Sequence, residues 1–244
     1  MMAIHARSLL LGSSVGPRTG GPEGSKVPIW PPHRAGEGRS TLAPAHGLAD
    51  DVAVDREGPP APGAGPTRMG LPGGRVLEVR PVQAGDLEAL AALYDGLDPD
   101  DRYRRFFSVS RPPRRLLEGM VAVADRGGQW LVAVADPDGA GALVAEAGYA
   151  LASRDTGELA ITVVRGWRGW LGPYLVDRVV AAAAARGLTR LEAYVLATNR
   201  AMLALLRARH PVVDEREDWT VVHLVIDTAP RPPRVGCRPA PVGG

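Results

Sequence analysis

A chain of 244 residues that is 45% hydrophobic can bury one sizeable core, and its single cysteine, Cys237, excludes any internal disulfide. The 29 basic and 27 acidic residues leave a net charge of +2, yet the stretch 75–228 holds 19 arginines against 21 carboxylates, a net charge of −2. Without a basic stripe carrying interleaved aromatics, that stretch excludes an ordinary nucleic-acid-binding face.

Residues 1–74 are crowded with proline and glycine (GPRTGGPEG, WPPHRAGEG, GPPAPGAGP) and show no sustained apolar period. Such an arm buries too little surface to offset its ordering entropy, so disorder is expected there and again in the Pro/Arg-rich tail 229–244. One compact domain is expected between them, over 75–228. The run Leu9–Leu11 is too short for a signal segment or a membrane span, and no later stretch reaches about 18 apolar residues. A reducing, cytoplasmic setting is expected. Met69 stands just before the first expected strand and offers an alternative translation start. Gly12-Ser13-Ser14-Val15-Gly16 fits the hydrolase string G-x-S-x-G, but no strand precedes it and no helix follows, so it is rejected.

Within the domain, Val76–Val79 reads as a strand. A helix over Asp86–Gly96 follows, with Leu87, Leu90, Leu93 and Tyr94 on one stripe. Two shorter helices are expected over Pro99–Phe107 and Arg114–Asp125. Strands follow at Gln129–Ala135, Leu143–Ser153 and Glu158–Val164, with turns at Pro137-Asp138-Gly139 and Asp155-Thr156-Gly157. Tight turns make these strands antiparallel, whereas the strand–helix–strand step from Glu158 to Leu196 requires a parallel crossover. A helix over Pro173–Gly187, a strand over Leu191–Leu196, a helix over Asn199–Arg209 and a closing strand over Trp219–Thr228 complete the pattern. The class is α/β, with a mixed, mostly antiparallel sheet flanked by helices.

The junction of Glu158–Val164 with the following helix carries the chemistry. First-turn N–H groups lack intrahelical partners, and the helix dipole favours an anion there. Gly169 and Gly172 let backbone approach a phosphate closely. Val163 and Val164 ending the strand, Trp167-Arg168-Gly169 opening the loop, and Asn199 with Met202 in N-x-x-M resemble the GNAT N-acetyltransferases. Arg75–Val82 followed by Asp86–Leu90 is similar to that family's first strand and helix. LDPDDRYRRFF (97–107) is similar to a segment of its bacterial protein-lysine acetyltransferase branch. The family continues G-x-G-[LI]-G where this chain has Gly169-Trp170-Leu171-Gly172. Without a deletion, Leu171 and Pro173 occupy the two small-residue positions. With one residue deleted, the reading preferred here, Leu171-Gly172 matches the final L-G and Pro173 opens the helix.

The resemblance implies the acyl-CoA N-acyltransferase fold, acetyl-CoA as acyl donor and a primary amine, on a small molecule or a protein, as acceptor. It implies cofactor contacts at Val163, Val164, Arg168, Gly169, Trp170, Leu171, Gly172 and Asn199. Glu158 matches the carboxylate that deprotonates the attacking amine; alternatively it solvates a strand start. Glu146 is the fallback base, or a surface residue of an alternating strand. The family's thiolate-protonating tyrosine has no counterpart, since that position is Leu206. Tyr149 and Tyr194 lie on strands and are read as sheet filling. Arg102, Arg104 or Arg105 is a candidate to hold an acidic substrate group, but an amphipathic helix burying Tyr103, Phe106 and Phe107 with its arginines in water is favoured. The five histidines lack ligand spacing, so no metal is expected. No nucleic-acid or membrane partner is expected, and a homodimer is compatible with the sequence. A second reading is a catalytically weak or inactive acyl-CoA-binding module of the same fold.

Overall fold

The computed structural model describes residues 65–139 and 141–229, with the backbone of a two-residue strand, β1 (Ala3–Ile4). The expectations of disorder for the arm and tail fall almost wholly outside these residues, as do His5, His33, His46 and Cys237. In chain order follow β2 (Thr67–Leu71), β3 (Arg75–Pro81), α1 (Leu87–Asp95), α2 (Pro99–Phe106), α3 (Arg114–Val121), β4 (Gln129–Ala135), β5 (Ala142–Leu151) and β6 (Thr156–Val163). Then come α4 (Leu171–Ala185), β7 (Arg190–Leu196), α5 (Arg200–Arg209), β8 (Val212–Asp218) and β9 (Val221–Asp227).

The strands form one sheet in the order β2-β3-β4-β5-β6-β7-β9-β8, with β1 added on β6. Every pairing is antiparallel except β6 with β7, whose connection through α4 is the expected crossover. Side-chain alternation gives the sheet two apolar faces. On one, Leu131, Tyr149, Leu159 and Ile161 meet Leu175, Val176 and Val179 of α4 and Met202 and Leu206 of α5. On the other, Trp130, Val132, Ala150 and Ala160 meet Leu90 and Tyr94 of α1 and Leu117 and Met120 of α3.

Three strands went unrecognised in the sequence: the two-residue β1, β2 and β8. β2 alternates inward and outward residues and pairs with β3 from Thr67↔Val79 to Leu71↔Arg75, so the expected boundary at residue 74 falls inside a hairpin. Its proline- and glycine-rich flanks hid the alternation. β8 (VVDERED) is a largely exposed edge strand whose charges blunt an open edge, so it carries little apolar pattern. Trp219, expected inside the closing strand, sits in the β8–β9 turn with φ 48° and is almost fully exposed.

The helix α2 corrects a further expectation. Asp98 caps it, accepting from Asp101 N–H at 2.7 Å, and Phe107 ends it in the left-handed region at φ 51°. Arg105 is buried on it while Tyr103 is 44% exposed, the reverse of arginines in water over a buried tyrosine. The sheet explains the reversal, because a carboxylate waits beneath Arg105.

Candidate functional site

That carboxylate is Glu146 of β5. Arg105 Nε donates to Glu146 Oε1 at 2.9 Å, and Trp130 Nε1 donates to Oε2 at 2.7 Å, with all three residues at most 1% exposed. The Arg105 guanidinium also lies 4.8 Å from the Phe106 ring centroid. Burial disfavours the charged form of Arg105, but the Glu146 charge outweighs it and the guanidinium's pKa is raised. Tyr94 beside them is pushed well up by burial first and by Glu146 second. Glu146 is therefore not the surface residue of an alternating run. Both its oxygens are committed to a buried network, which leaves it poorly suited to act as fallback base.

Glu158 occupies a different position. The parallel register of β6 and β7 runs Thr156↔Arg190, Gly157↔Leu191 and Glu158↔Glu192, and then stops. Glu158 thus stands at the fork where the two strands part, on the same face of β6 as Ala160, and is 2% exposed. The reading of a solvated strand start does not fit that burial. Beyond the fork, Ile161 and Thr162 pair with the backbone of Ile4 and Ala3 in β1, so this stretch of β6 edge accepts an extended segment. From Glu158 to Val163 the strand climbs about 16 Å at roughly 3.3 Å per residue.

At the top of that climb lies the loop. After Val164, a single 3-10 turn spans Arg165–Trp167 and α4 begins at Leu171 with Trp170 as its N-cap. The helix starts two residues before the expected Pro173, so Gly172 is helical and buried. Pro173 occupies the third helical position, which withdraws one first-turn donor. Gly169 has φ +95° and open space where a Cβ would project, a conformation that glycine alone adopts without strain and one that leaves room for a ligand against the backbone. The Trp170 ring lies 6.4 Å from that of Tyr174, one turn into α4. Trp167 lies beneath the Arg75 guanidinium at 4.9 Å. Arg168 Nε donates to the Val163 carbonyl at 3.1 Å and its Nη2 to Asp101.

Other residues singled out in the sequence are spread around this axis. Asn199 is 3% exposed and caps α5, its carbonyl accepting from Met202 N–H at 3.1 Å and Leu203 N–H at 3.2 Å. Leu206 is fully buried on α5. Tyr149 is buried under α4, and Tyr194 stacks on His223 at 4.6 Å. A cavity of about 370 Å³ lies between the second half of α4 and the start of β4, away from the loop. Its two guanidiniums are engaged, Arg186 with the Gly128 carbonyl at 2.7 Å and Arg178 with Thr67 at 2.8 Å. Among the described residues no group of His, Cys, Asp or Glu has the geometry of a metal site, and no helix is long and apolar enough to cross a membrane.

A forked parallel pair in an otherwise antiparallel sheet, opening onto a glycine-bearing loop and a helix N-terminus, is the GNAT acyltransferase fold. The GNAT domain of the S. lividans protein PAT superimposes with a TM-score of 0.57 at 25% identity, covering 66% of this chain and 96% of that one. Acetyltransferase Pat of Mycolicibacterium smegmatis is 32% identical over 157 residues, 62% of this chain and 46% of the relative. A GNAT superfamily phosphinothricin acetyltransferase from Sinorhizobium meliloti, solved with AcCoA, matches with a TM-score of 0.49 at 17% identity over 61% of this chain and 85% of that one. No protein-family model matches the chain. The chain has the GNAT fold and is similar in sequence to acetyltransferases of the Pat branch. It spans about half the length of the curated relative it matches.

Proposed function

We propose that this chain transfers an acetyl group from acetyl-CoA to a primary amine. The observation that carries this reading is the fork: β6 and β7 part at Glu158, and β6 then leads, along an edge that pairs with the extended segment β1, to a loop and helix N-terminus suited to an anion. A long ligand with an anionic end and a reactive opposite end fits that layout.

The residues fit acetyl-CoA in kind. Gly169 leaves backbone space for a pyrophosphate, with Arg168, Trp170, Leu171 and Gly172 around it. We assign the extended arm of the ligand to the strand end at Val163 and Val164 and to Asn199 at the start of α5. Acetyl-CoA supplies the thioester carbonyl. Glu158 takes a proton from the incoming ammonium, directly or through water, because only the free amine has a lone pair for attack. As the nitrogen–carbon bond forms, the carbon–sulfur bond breaks, the electron pair leaves on sulfur, and the nitrogen gives its second proton to water to leave a neutral amide. With leucine at 206 the thiolate takes its proton from water, which lowers the rate without forbidding the reaction, since thiol pKa values lie near 8 to 9. The acceptor is a small molecule or a protein amine, and the setting is the bacterial cytoplasm.

The second reading, an acyl-CoA-binding module with little turnover, draws on Pro173 in the first turn and the missing acid at Leu206. Thermal unfolding with and without ligand tests both together. Acetyl-CoA at a hundredfold excess over Kd is expected to stabilise the fold by about 2.7 kcal/mol. No shift with CoA or acetyl-CoA at millimolar concentration removes both readings. Thiol release across a panel of amines then separates enzyme from module.

A further inference from the structure

Arg165 and Arg168 stand three residues apart in the loop, and Asp98 and Asp101 stand three apart at the start of α2. The two pairs meet. Arg165 Nη2 lies 3.4 Å from Asp98 Oδ2, and Arg168 Nη2 donates to Asp101 Oδ2. Asp98 is spent on capping: its Oδ1 accepts from Asp101 N–H, and its pKa is lowered because that bond and the arginines outweigh burial. Asp101 is different. It is 6% exposed, its Oδ1 makes no hydrogen bond, and Arg104 lies 3.9 Å from that oxygen. A carboxylate with so little access to water holds an ion pair that solvent and salt screen weakly.

We propose that Asp101 is a positioning residue for the cofactor: it fixes Arg168 so that the unused edge of the guanidinium serves the anion at the α4 N-terminus. The proposal rests on the acetyl-CoA reading above. A guanidinium has five N–H donors in a rigid fork. Nε is used by the Val163 carbonyl and one Nη2 hydrogen by Asp101, so two points of the planar group are pinned, one to β6 and one to α2. A planar group held at two points has a set orientation, and its remaining N–H groups lie on the edge turned from both partners. Arg168 enters the ligand complex with its rotamers already chosen, which is how preorganisation raises affinity. The same link ties α2 to the loop, so the helix and the anion site move as one.

The test uses Asp101→Asn and Asp101→Glu in the full chain, with calorimetric Kd values for CoA, inorganic pyrophosphate and pantetheine. The Asn variant is expected to bind CoA and pyrophosphate about tenfold more weakly, the scale of one charge-assisted hydrogen bond, and the Glu variant to recover part of the loss. Pantetheine has no phosphate, so its affinity should not change. In an Arg168→Gln background, Asp101→Asn should cost nothing further. CoA binding that is unchanged or tighter in Asp101→Asn would make Asp101 a competitor of the phosphate and overturn the proposal. An equal loss for pantetheine would overturn it too, as a general loosening. If the wild-type chain binds pyrophosphate but not CoA, the acetyl-CoA reading fails while the Asp101–Arg168 link is still tested by pyrophosphate.

Discussion

Glu158 of β6 stands opposite Glu192 of β7 on the last rung before the two strands part. A buried carboxylate at the bottom of a fork is where a proton acceptor is useful, because an extended ligand lying along β6 would end there. Glu158→Gln is expected to keep CoA affinity and to lower kcat by roughly a hundredfold or more, the usual scale for losing a general base. The deficit should shrink as pH approaches the amine's own pKa, where free amine is abundant without help. Wild-type kcat at pH 7 in the variant would remove Glu158 from the chemistry. Loss of CoA binding alongside kcat would assign it to the structure of the fork.

Arg105 and Glu146 make the opposite prediction, of stability without chemistry. Glu146→Gln leaves a guanidinium in a 1% exposed site with no compensating charge. Removing one member of such a pair costs about 3–5 kcal/mol. Chemical denaturation is expected to show a loss on that scale, with the slope of the transition unchanged. A Glu146 variant that stays stable but loses turnover would return it to the candidate bases.

Gly169 gives a prediction about the loop. At φ +95° with open space around its Cβ position, Gly169→Ala meets no clash but must hold a left-handed backbone. A stability loss of about 1–2 kcal/mol is expected. Calorimetry should show weakened CoA binding as well, because the methyl group occupies the approach of a phosphate. Gly172 is buried inside the first turn, so an aspartate there tests folding as much as binding and Gly169 is the cleaner site. Unchanged CoA affinity in folded Gly169→Ala would mean that the phosphates sit elsewhere.

The architecture was largely legible in the sequence because its signals are local. The continuous apolar run within Gln129–Ala135 and the apolar stripe of α1 each announce an element, and the Val163–Gly172 junction announces a loop into a helix. What stayed hidden depends on partners distant in sequence. Nothing near Arg105 says that it is buried, since the Glu146 carboxylate that stabilises it there is 41 residues away and its Trp130 partner comes from a third element. The β6–β7 fork is equally silent, because a register that stops after three rungs leaves no mark on composition. Asp101 read as one acid in a charged helix start, and only the fold brings Arg168 to it across 67 positions.

β1 and an extended ligand would use the same backbone groups, since Ile4 and Ala3 pair with Ile161 and Thr162 on the β6 edge above the fork. Proline at position 4 removes an N–H donor and with it part of that pairing. Ile4→Pro in the full chain is therefore expected to tighten CoA binding, measured by calorimetry, and to leave the melting temperature of the unliganded protein nearly unchanged. Unchanged affinity would show that β1 and the ligand do not compete.

The last prediction concerns acid. Arg80 pairs with Asp86 through two hydrogen bonds, at 2.7 and 2.8 Å, and Asp86 also accepts from Gln83 N–H at 2.7 Å in the capping box before α1. Burial pushes the Asp86 carboxyl up, but the guanidinium and the capping N–H outweigh it, and the net pKa is lowered. A carboxylate whose folded pKa lies below its unfolded one binds fewer protons folded than unfolded. Its contribution is complete above the ordinary carboxylate value near pH 4 and is lost as pH falls through the depressed folded value. Asp86→Asn should therefore lower stability at pH 7 and flatten the acid limb of the stability–pH curve below about pH 4. Denaturation midpoints measured from pH 7 down to pH 2 check both effects. A variant whose acid limb parallels wild type would show that the Arg80–Asp86 pair contributes nothing to the linkage, whatever its geometry.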